Sequence, residues 1–180
     1  FHGMPVAHAL DFAGIVLSSL ASISHERISK FISTQMSELP PYLAVDGGLN
    51  SGHMIIQVAS ASLVSENKVL AHPASVDSMP TSAEKEDHVS MGTIAARKFN
   101  QILKNAQNVV AMEFLCATQA LDMLKPLKPA DGVLAAYNCI REVVPYATED
   151  RIFSKDVKKI SELMLNEKLV LAVENKVGAL

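Results

Sequence analysis

Apolar residues recur every three or four positions along most of the chain, which is the spacing of one face of an α-helix. This spacing predicts helices over residues 6–32, 52–70, 89–125 and 131–143, and a final helical region over 154–176 in which Asn166 is a candidate break. In the first of these helices apolar side chains fill the other faces too, which is typical of a helix central in a bundle or buried at a subunit interface. The pattern predicts an all-α fold.

The predicted helix over residues 89–125 is long for a chain of 180 residues. Roughly 35 residues at ~1.5 Å per residue span about 50 Å, several times the length of the usual helix of about 11–12 residues. One chain of this size cannot cover such a helix, so we expect a long-helix bundle that is part of a larger helical homo-oligomer. Residues 1–125 are predicted to form the bundle core, with a candidate active-site loop over 70–90, and residues 126–180 a C-terminal helical segment of the same domain.

Composition supports this interpretation and excludes several classes of partner. Only 5% of the residues are aromatic although 49% are apolar, which suits closely packed helices better than a β-sandwich. The net charge of −3 gives no reason to expect nucleic acid or an anionic membrane surface as a partner. No charge-free stretch reaches the ~20 apolar residues that span a bilayer, so we expect no membrane segment.

The two cysteines, Cys116 and Cys139, each lie inside a helical pattern, and neither belongs to a CxxC pair. Such cysteines are typical of buried, reduced thiols rather than of a disulfide or a zinc site. We therefore expect a cytoplasmic protein.

A polar stretch over residues 70–92 fits neither of the helical patterns beside it. It contains two prolines, five Ser or Thr residues and a run of five ionisable residues, 84–88. Long polar loops inside compact chains are usually functional or disordered, and the apolar helices on both sides favour an ordered loop. The run over 84–88 is therefore the first place to look for chemistry.

Two interpretations of this acidic run remain open. Carboxylates just before a long helix are favoured by the helix dipole and can cap free N–H groups, which would explain Glu84, Glu86 and Asp87 without any function. The functional interpretation requires one carboxylate turned inward beneath an apolar helix, where it could act as a general base or bind a substrate.

Other constellations in the loop have weaker support. A metal site built from His72, Asp77, Glu86 and His88 matches no known ligand spacing, so we expect none. A catalytic triad of His72, Ser75 and Asp77 is weaker still, because three members so close in one loop rarely reach each other in the required geometry.

Several short segments match a known family in order along the chain. They are residues 1–3 with Pro5, 39–43, 48–52 with Met54, 65–68, 70–78, 80–83 and 86–91. Together they closely resemble the histidine ammonia-lyases of the aromatic amino acid lyase family, and the resemblance extends to about residue 153. It implies that this chain corresponds to the C-terminal part of a much longer enzyme that forms an all-helical homotetramer.

The resemblance also implies a reaction, the elimination of ammonia from L-histidine to give urocanate. Enzymes of this family use a methylidene-imidazolone electrophile, which forms from their own backbone when an Ala-Ser-Gly triplet cyclises, and a base removes a β-proton. The four Ala-Ser pairs of this chain begin at Ala21, Ala59, Ala61 and Ala74, and none is followed by Gly. We therefore expect this segment to bind no cofactor and to be inactive alone. Its expected partners are an amino acid substrate, the rest of its own chain and identical subunits.

Three residues are candidates for the active site, and two of them match family positions. The resemblance implies that Glu86 is the catalytic carboxylate of histidine-specific members and that Phe1 binds substrate. We expect Lys85, beside Glu86, to bind substrate as well. The chain departs from the family pattern where Glu84-Lys85 replaces the usual Asn-Gln, and a lysine beside Glu86 would weaken that carboxylate as a base. A related aromatic lyase or aminomutase therefore stays open.

An alternative of another class stays open as well. The missing electrophile and the interface-like helices are also compatible with a non-catalytic helical scaffold or assembly module.

Overall fold

The computed structural model describes residues 2–179, and they form helices joined by turns and loops. In chain order these are α1 (Met4–Ile32), α2 (Thr34–Ser37), a 3-10 turn (Pro41–Leu43), α3 (Met54–Leu70), α4 (Gly92–Met123), α5 (Asp131–Arg141), α6 (Phe153–Leu165) and α7 (Lys168–Val177). No β-strand occurs within these residues, which contain only the isolated bridges between Gly47 and Asn50 and between Thr81 and Glu86. The all-α prediction is confirmed.

The helix boundaries follow the apolar periodicity closely. The four long predicted helices all form, and α4 has 32 residues where about 35 were expected. The final region divides into α6 and α7 near the predicted break, where Glu167 adopts a left-handed φ of 58°. A non-glycine residue in that conformation does not continue a right-handed helix, so it ends one helix and starts the next.

The chain divides into two compact units, each made of separate stretches of sequence. Unit 1 contains the chain up to Ile23 together with Ala61–Gln107, and unit 2 contains Ser24–Ser60 together with Asn108–Leu180. The boundary near residue 125 that we drew from the sequence stays a prediction.

Unit 1 is held together by small apolar residues and by a polar bridge. Ala7, Ala74 and Ala95 form its buried cluster, with partly buried Leu10 and Met91 packed on it. Alanine side chains let backbones approach closely, so α1, α4 and the loop between α3 and α4 pack directly on one another.

The polar bridge of unit 1 links α3 and α4. The Asn105 amide nitrogen donates to Glu66 Oε2 at 2.7 Å and to Asn67 Oδ1 at 3.0 Å. Because Asn67 and Asn105 are both buried, these hydrogen bonds satisfy polar groups that would otherwise be costly to bury.

In unit 2 a distant carboxylate holds the turn that leads into α3. Asp150 accepts the backbone N–H of Ser51 at Oδ2 and that of Gly52 at Oδ1, each at 2.8 Å. The N–H of Asp150 in turn donates to the Asn50 side-chain oxygen at 3.1 Å. The reciprocal contact fastens two segments about 100 residues apart in sequence.

His53, at the start of α3, is buried in unit 2 against the Phe153 ring, with ring centroids 4.7 Å apart. Neither of its ring nitrogens has a hydrogen-bond partner within the described part of the chain. Burial is the largest cause that lowers the pKa of His53 to about 4, and the charges of Arg151 and Arg141 contribute to this shift while Asp150 opposes it. His53 is therefore held in its neutral form.

We expect this histidine to make stability depend on pH. The ordinary pKa of His53 is 6.5 and the folded value is about 4, so the unfolded chain binds the proton more tightly between these values. The free energy of unfolding should be fullest above pH 6.5 and fall by up to about 3 kcal/mol as the pH drops toward 4. Thermal unfolding midpoints measured across this range should lose much of their slope in His53→Gln and keep it in His8→Gln, an exposed control. An unchanged slope in His53→Gln would contradict the assignment.

Much of the apolar surface of α1 is uncovered within the chain. Val6, Phe12, Val16 and Ile23 are each 50% exposed or more. By length and composition α1 could cross a membrane, and only 22% of its most apolar window is buried within the chain. The sequence interpretation offered a central or an interface position for this helix, and it is not buried within this single chain.

Candidate active site

The acidic run lies in a tight turn within unit 1. Thr81 and Glu86 exchange backbone hydrogen bonds, with Thr81 N–H to Glu86 O at 2.9 Å and Glu86 N–H to Thr81 O at 3.2 Å. Between them Ser82, Ala83 and Glu84 have φ values of 54°, 53° and 66°. Three consecutive left-handed residues without glycine cost roughly 1–2 kcal/mol each. The surrounding contacts must hold this strained turn in place.

Glu86 contacts an imidazole of its own chain. Its Oε2 lies 3.1 Å from Nε2 of His2, and the two side chains are 43% and 32% exposed respectively. The functional interpretation of the acidic run required a carboxylate turned inward, and within the described chain Glu86 is only partly buried. Lys85 beside it is exposed. Both side chains can therefore reach a ligand outside the chain.

His2 is fixed through its backbone by the start of α4. The Ser90 hydroxyl donates to His2 O at 2.6 Å and accepts the Gly92 N–H at 3.2 Å. Ser90 therefore satisfies the N–H of the first residue of α4, part of the role that the non-functional interpretation gave to the carboxylates. His2 has a left-handed φ of 52°, a conformation that this hydrogen bond helps to hold.

Asp11, in the N-terminal third of α1, anchors the first half of the loop. Its Oδ2 accepts the Ser75 N–H at 2.8 Å. Burial alone would raise the pKa of Asp11, but hydrogen bonds from the Ser75 N–H and hydroxyl and from the Ala74 N–H, with the nearby Lys98 charge, together lower it. Lys98 also donates to the His72 carbonyl. An ionised carboxylate on α1 is thus part of the loop's support.

Further hydrogen bonds fasten the loop, one between the residues before and after the turn and one within the residues before it. The Val89 N–H donates to Ser78 Oγ at 2.8 Å, and the Asp77 N–H donates to Ala74 O at 3.1 Å. The loop is therefore fastened before and after the turn that carries Glu86.

We expect Asp11→Asn to loosen this loop. An amide in place of the carboxylate gives up one acceptor oxygen and the negative charge, and an unsatisfied buried N–H costs about 1–3 kcal/mol. Limited proteolysis of the full-length protein, followed by mass spectrometry, should show faster cleavage between residues 71 and 91. Asp77→Asn, at an exposed position in the same loop, should cleave at the parent rate. Equal cleavage rates for all three proteins would contradict the anchoring role.

The other constellations considered from the sequence do not form a site. His72 Nε2 and Asp77 Oδ2 are 3.7 Å apart, but both side chains are largely exposed and the Ser75 hydroxyl bonds to Asp11. Across residues 2–179, no group of three His, Cys, Asp or Glu residues is placed to hold a metal ion.

The structure brings His2, Asp11 and Ser90 to the loop that carries Glu86. Phe1, predicted to bind substrate, lies outside the described residues, so its role stays a prediction, as do those of Lys85 and Glu86. His2, Ser90 and Asp11 were not identified from the sequence. A lone aspartate within an apolar helix was the available signal for Asp11, and a serine just before a helix was the signal for Ser90.

Comparison with known proteins matches the chain to one family. The sequence model of the aromatic amino acid lyase family matches residues 1–142. Histidine ammonia-lyases of Sorangium cellulosum and Symbiobacterium thermophilum are 52% and 51% identical to the chain over its whole length. The chain spans 35% and 36% of the length of these two relatives, about a third.

Solved structures of a histidine ammonia-lyase and of a tyrosine aminomutase also superpose closely on the chain. Histidine ammonia-lyase from Trypanosoma cruzi superposes with a TM-score of 0.94 at 40% identity, covering 97% of this chain and 34% of that one. A tyrosine aminomutase from Streptomyces globisporus superposes with a TM-score of 0.92 at 32% identity, covering 98% of this chain and 34% of that one. The chain belongs to the aromatic amino acid lyase family.

Proposed function

We propose that this chain is the C-terminal part of a histidine ammonia-lyase, an enzyme that eliminates ammonia from L-histidine to give urocanate. The observation that carries the proposal is the identity of about 50% between the whole chain and relatives named histidine ammonia-lyase. The half-exposed carboxylate of Glu86, on a loop fastened at several points, supports it.

In this proposal the chain supplies one wall of the active site. Glu86 accepts the N–H of the substrate imidazole and orients the ring, since an ionised carboxylate only accepts hydrogen bonds. The contact between Glu86 and the His2 imidazole at 3.1 Å provides an example of this pairing. The exposed ammonium of Lys85 attracts the substrate's carboxylate, and Phe1 packs against the substrate.

The electrophile has to come from another part of the longer protein. The family's methylidene-imidazolone activates the amine as a leaving group, and it forms from an Ala-Ser-Gly triplet that the printed sequence does not contain. The residues of this chain therefore do not fit the group, and we propose that the 180-residue segment is inactive alone.

Assembly and location follow from the same proposal. The exposed apolar surface of α1 is covered in a homotetramer rather than by lipid, because the Asp11 face of this helix already packs on the loop of its own chain. Both cysteines are free, and burial raises the pKa of the Cys116 thiol, as suits a reduced protein in the cytoplasm.

The test is to follow urocanate absorbance with histidine, using the natural protein purified from its source and measured for intact mass. A mass well above 19.4 kDa together with urocanate formation is the expected result. The 180-residue chain expressed alone should give no urocanate. A natural protein of 19.4 kDa without activity would instead support the scaffold alternative.

A related aminomutase remains the second candidate. The structural match to a tyrosine aminomutase and the Glu84-Lys85 departure from the family pattern favour keeping it. The same protein should be incubated with tyrosine and with phenylalanine, and the products separated by chromatography. A β-amino acid formed faster than urocanate is formed from histidine would favour this candidate.

A further inference from the structure

We propose that His2 is a positioning residue for Glu86, and that its ring holds one carboxylate oxygen so that the other can receive the imidazole N–H of the substrate. The inference rests on the proposed function, because it requires Glu86 to contact the substrate. It deepens that function by naming the residue that orients the carboxylate.

The Glu86 carboxylate and the His2 imidazole are in direct contact. Glu86 Oε2 lies 3.1 Å from His2 Nε2, within hydrogen-bonding distance. An ionised carboxylate only accepts, so this contact places a proton on Nε2 of His2. The hydrogen bond uses one of the two carboxylate oxygens, and Oε1 remains to accept from a ligand.

His2 is itself held in place through its backbone. Its carbonyl accepts the Ser90 hydroxyl at 2.6 Å, and Ser90 is fixed at the start of α4 by the Gly92 N–H. Immediately after His2, the Gly3 carbonyl accepts the N–H groups of Val6 and Ala7, each at 3.0 Å, which ties the segment to the first turn of α1. The imidazole therefore extends from backbone fastened to two long helices.

Glu86 needs such support because of the turn that carries it. The turn before it contains three left-handed residues in succession, and its side chain is 43% exposed. A carboxylate in that setting has several rotamers available, and fixing one of them lowers the entropy lost when substrate binds. His2 supplies a side-chain contact that selects one rotamer.

The experiment uses the full-length enzyme with histidine as substrate and compares His2→Phe, His2→Met and His2→Gln. Phenylalanine and methionine remove the N–H donor, whereas glutamine keeps an amide N–H at a similar distance from the backbone. We expect kcat to fall about tenfold in the first two, with KM changed less than about threefold, and glutamine to restore kcat to within about threefold. His8→Phe, the same substitution at an exposed position of α1, is the matched control.

A double-mutant cycle with Glu86→Ala separates positioning from a general structural role. If His2 acts through Glu86, adding His2→Phe to Glu86→Ala should lower kcat no further, because no carboxylate remains to be positioned. A further tenfold loss in the double variant would overturn the proposal. So would parent activity in His2→Phe, a gain of activity showing that His2 obstructs the site, or equal losses in His2→Gln and His2→Met.

Failure of this inference can be told from failure of the proposed function. If Glu86→Ala is impaired and His2→Phe is not, only the positioning role is lost. If Glu86→Ala keeps parent activity, the catalytic role of Glu86 is wrong and the inference fails with it. Size-exclusion chromatography of each variant checks that the assembly is unchanged. If His2→Phe fails to assemble, the comparison of kcat between His2→Gln and His2→Met tests the positioning role instead.

Discussion

Glu86→Gln in the full-length enzyme should lower kcat for histidine by about ten- to a hundredfold, the loss expected when a hydrogen bond to a charged group worth roughly 1.5–3 kcal/mol is removed. Glutamine keeps the shape of the side chain but loses the charge and presents an amide in place of one acceptor oxygen. The substrate imidazole then loses its charge-assisted hydrogen bond, which is stronger than a neutral one. Urocanate absorbance under saturating histidine measures the effect.

The matched control for this experiment lies two residues earlier in the same turn. Glu84→Gln removes the same charge from an exposed side chain, and kcat should stay within about twofold because exposed charges contribute little. Parent kinetics in Glu86→Gln would refute the role of Glu86. An equal loss in both variants would mean that the net charge of the turn matters rather than the position of one carboxylate.

The second large effect is expected at Gly52, where we predict that alanine destabilises the protein by roughly 2–4 kcal/mol. Gly52 has a left-handed φ of 55°, and a Cβ there would lie 2.6 Å from the Tyr42 carbonyl oxygen. That oxygen already accepts the His53 N–H at 2.8 Å, so it cannot move away without breaking a hydrogen bond. The same shift would disturb the hydrogen bond that the Gly52 N–H donates to Asp150.

Gly47 provides the control for Gly52. A Cβ at Gly47 would meet nothing within 4 Å, and its φ lies outside the left-handed region. Gly47→Ala should therefore change the free energy of unfolding by less than about 1 kcal/mol. Thermal and urea unfolding of both variants measure the difference. Similar midpoints for the two variants would show that the turn adapts to a side chain at residue 52.

The helices were predictable because each is long enough for its apolar period to be unambiguous. In the segment that forms α4, apolar residues recur at intervals of three and four over nine turns, and no alternation typical of a β-strand competes with this pattern. The interruption near Asn166 was visible as well, since an asparagine between two short apolar runs favours a left-handed or capping conformation.

Individual polar residues were less predictable, because a periodicity shows which face is polar but not what that face contacts. Asn105 lies on the polar side of the α4 pattern, yet it is only 3% exposed and bridges Glu66 and Asn67. Asp150 fastens a turn about 100 residues earlier, and no local pattern encodes so distant a contact.

The position of the candidate loop was predictable from the sequence, and the role of Glu86 within it stays a prediction. The polar stretch before α4 was identified from its composition, and the family resemblance singled out Glu86. The left-handed turn and the imidazole of His2 beside the carboxylate were not predicted, because a local sequence does not reveal consecutive left-handed residues outside glycine. They depend on tertiary contacts that stabilise a conformation the residues disfavour alone.

The contacts that fasten the loop join residues far apart in the chain, and this has a consequence for biosynthesis. Asp11 and Ser75 are 64 residues apart, and His2 and Ser90 are 88 apart. At ~5–20 residues per second, a ribosome needs roughly 4–18 seconds to travel from the first member of the longer pair to the second. During that interval the apolar surface of α1 has emerged before the loop and α4 that pack on part of it. We therefore expect the nascent chain to expose this surface to chaperones that bind apolar helices, and the loop that carries Glu86 is fastened only when α4 follows.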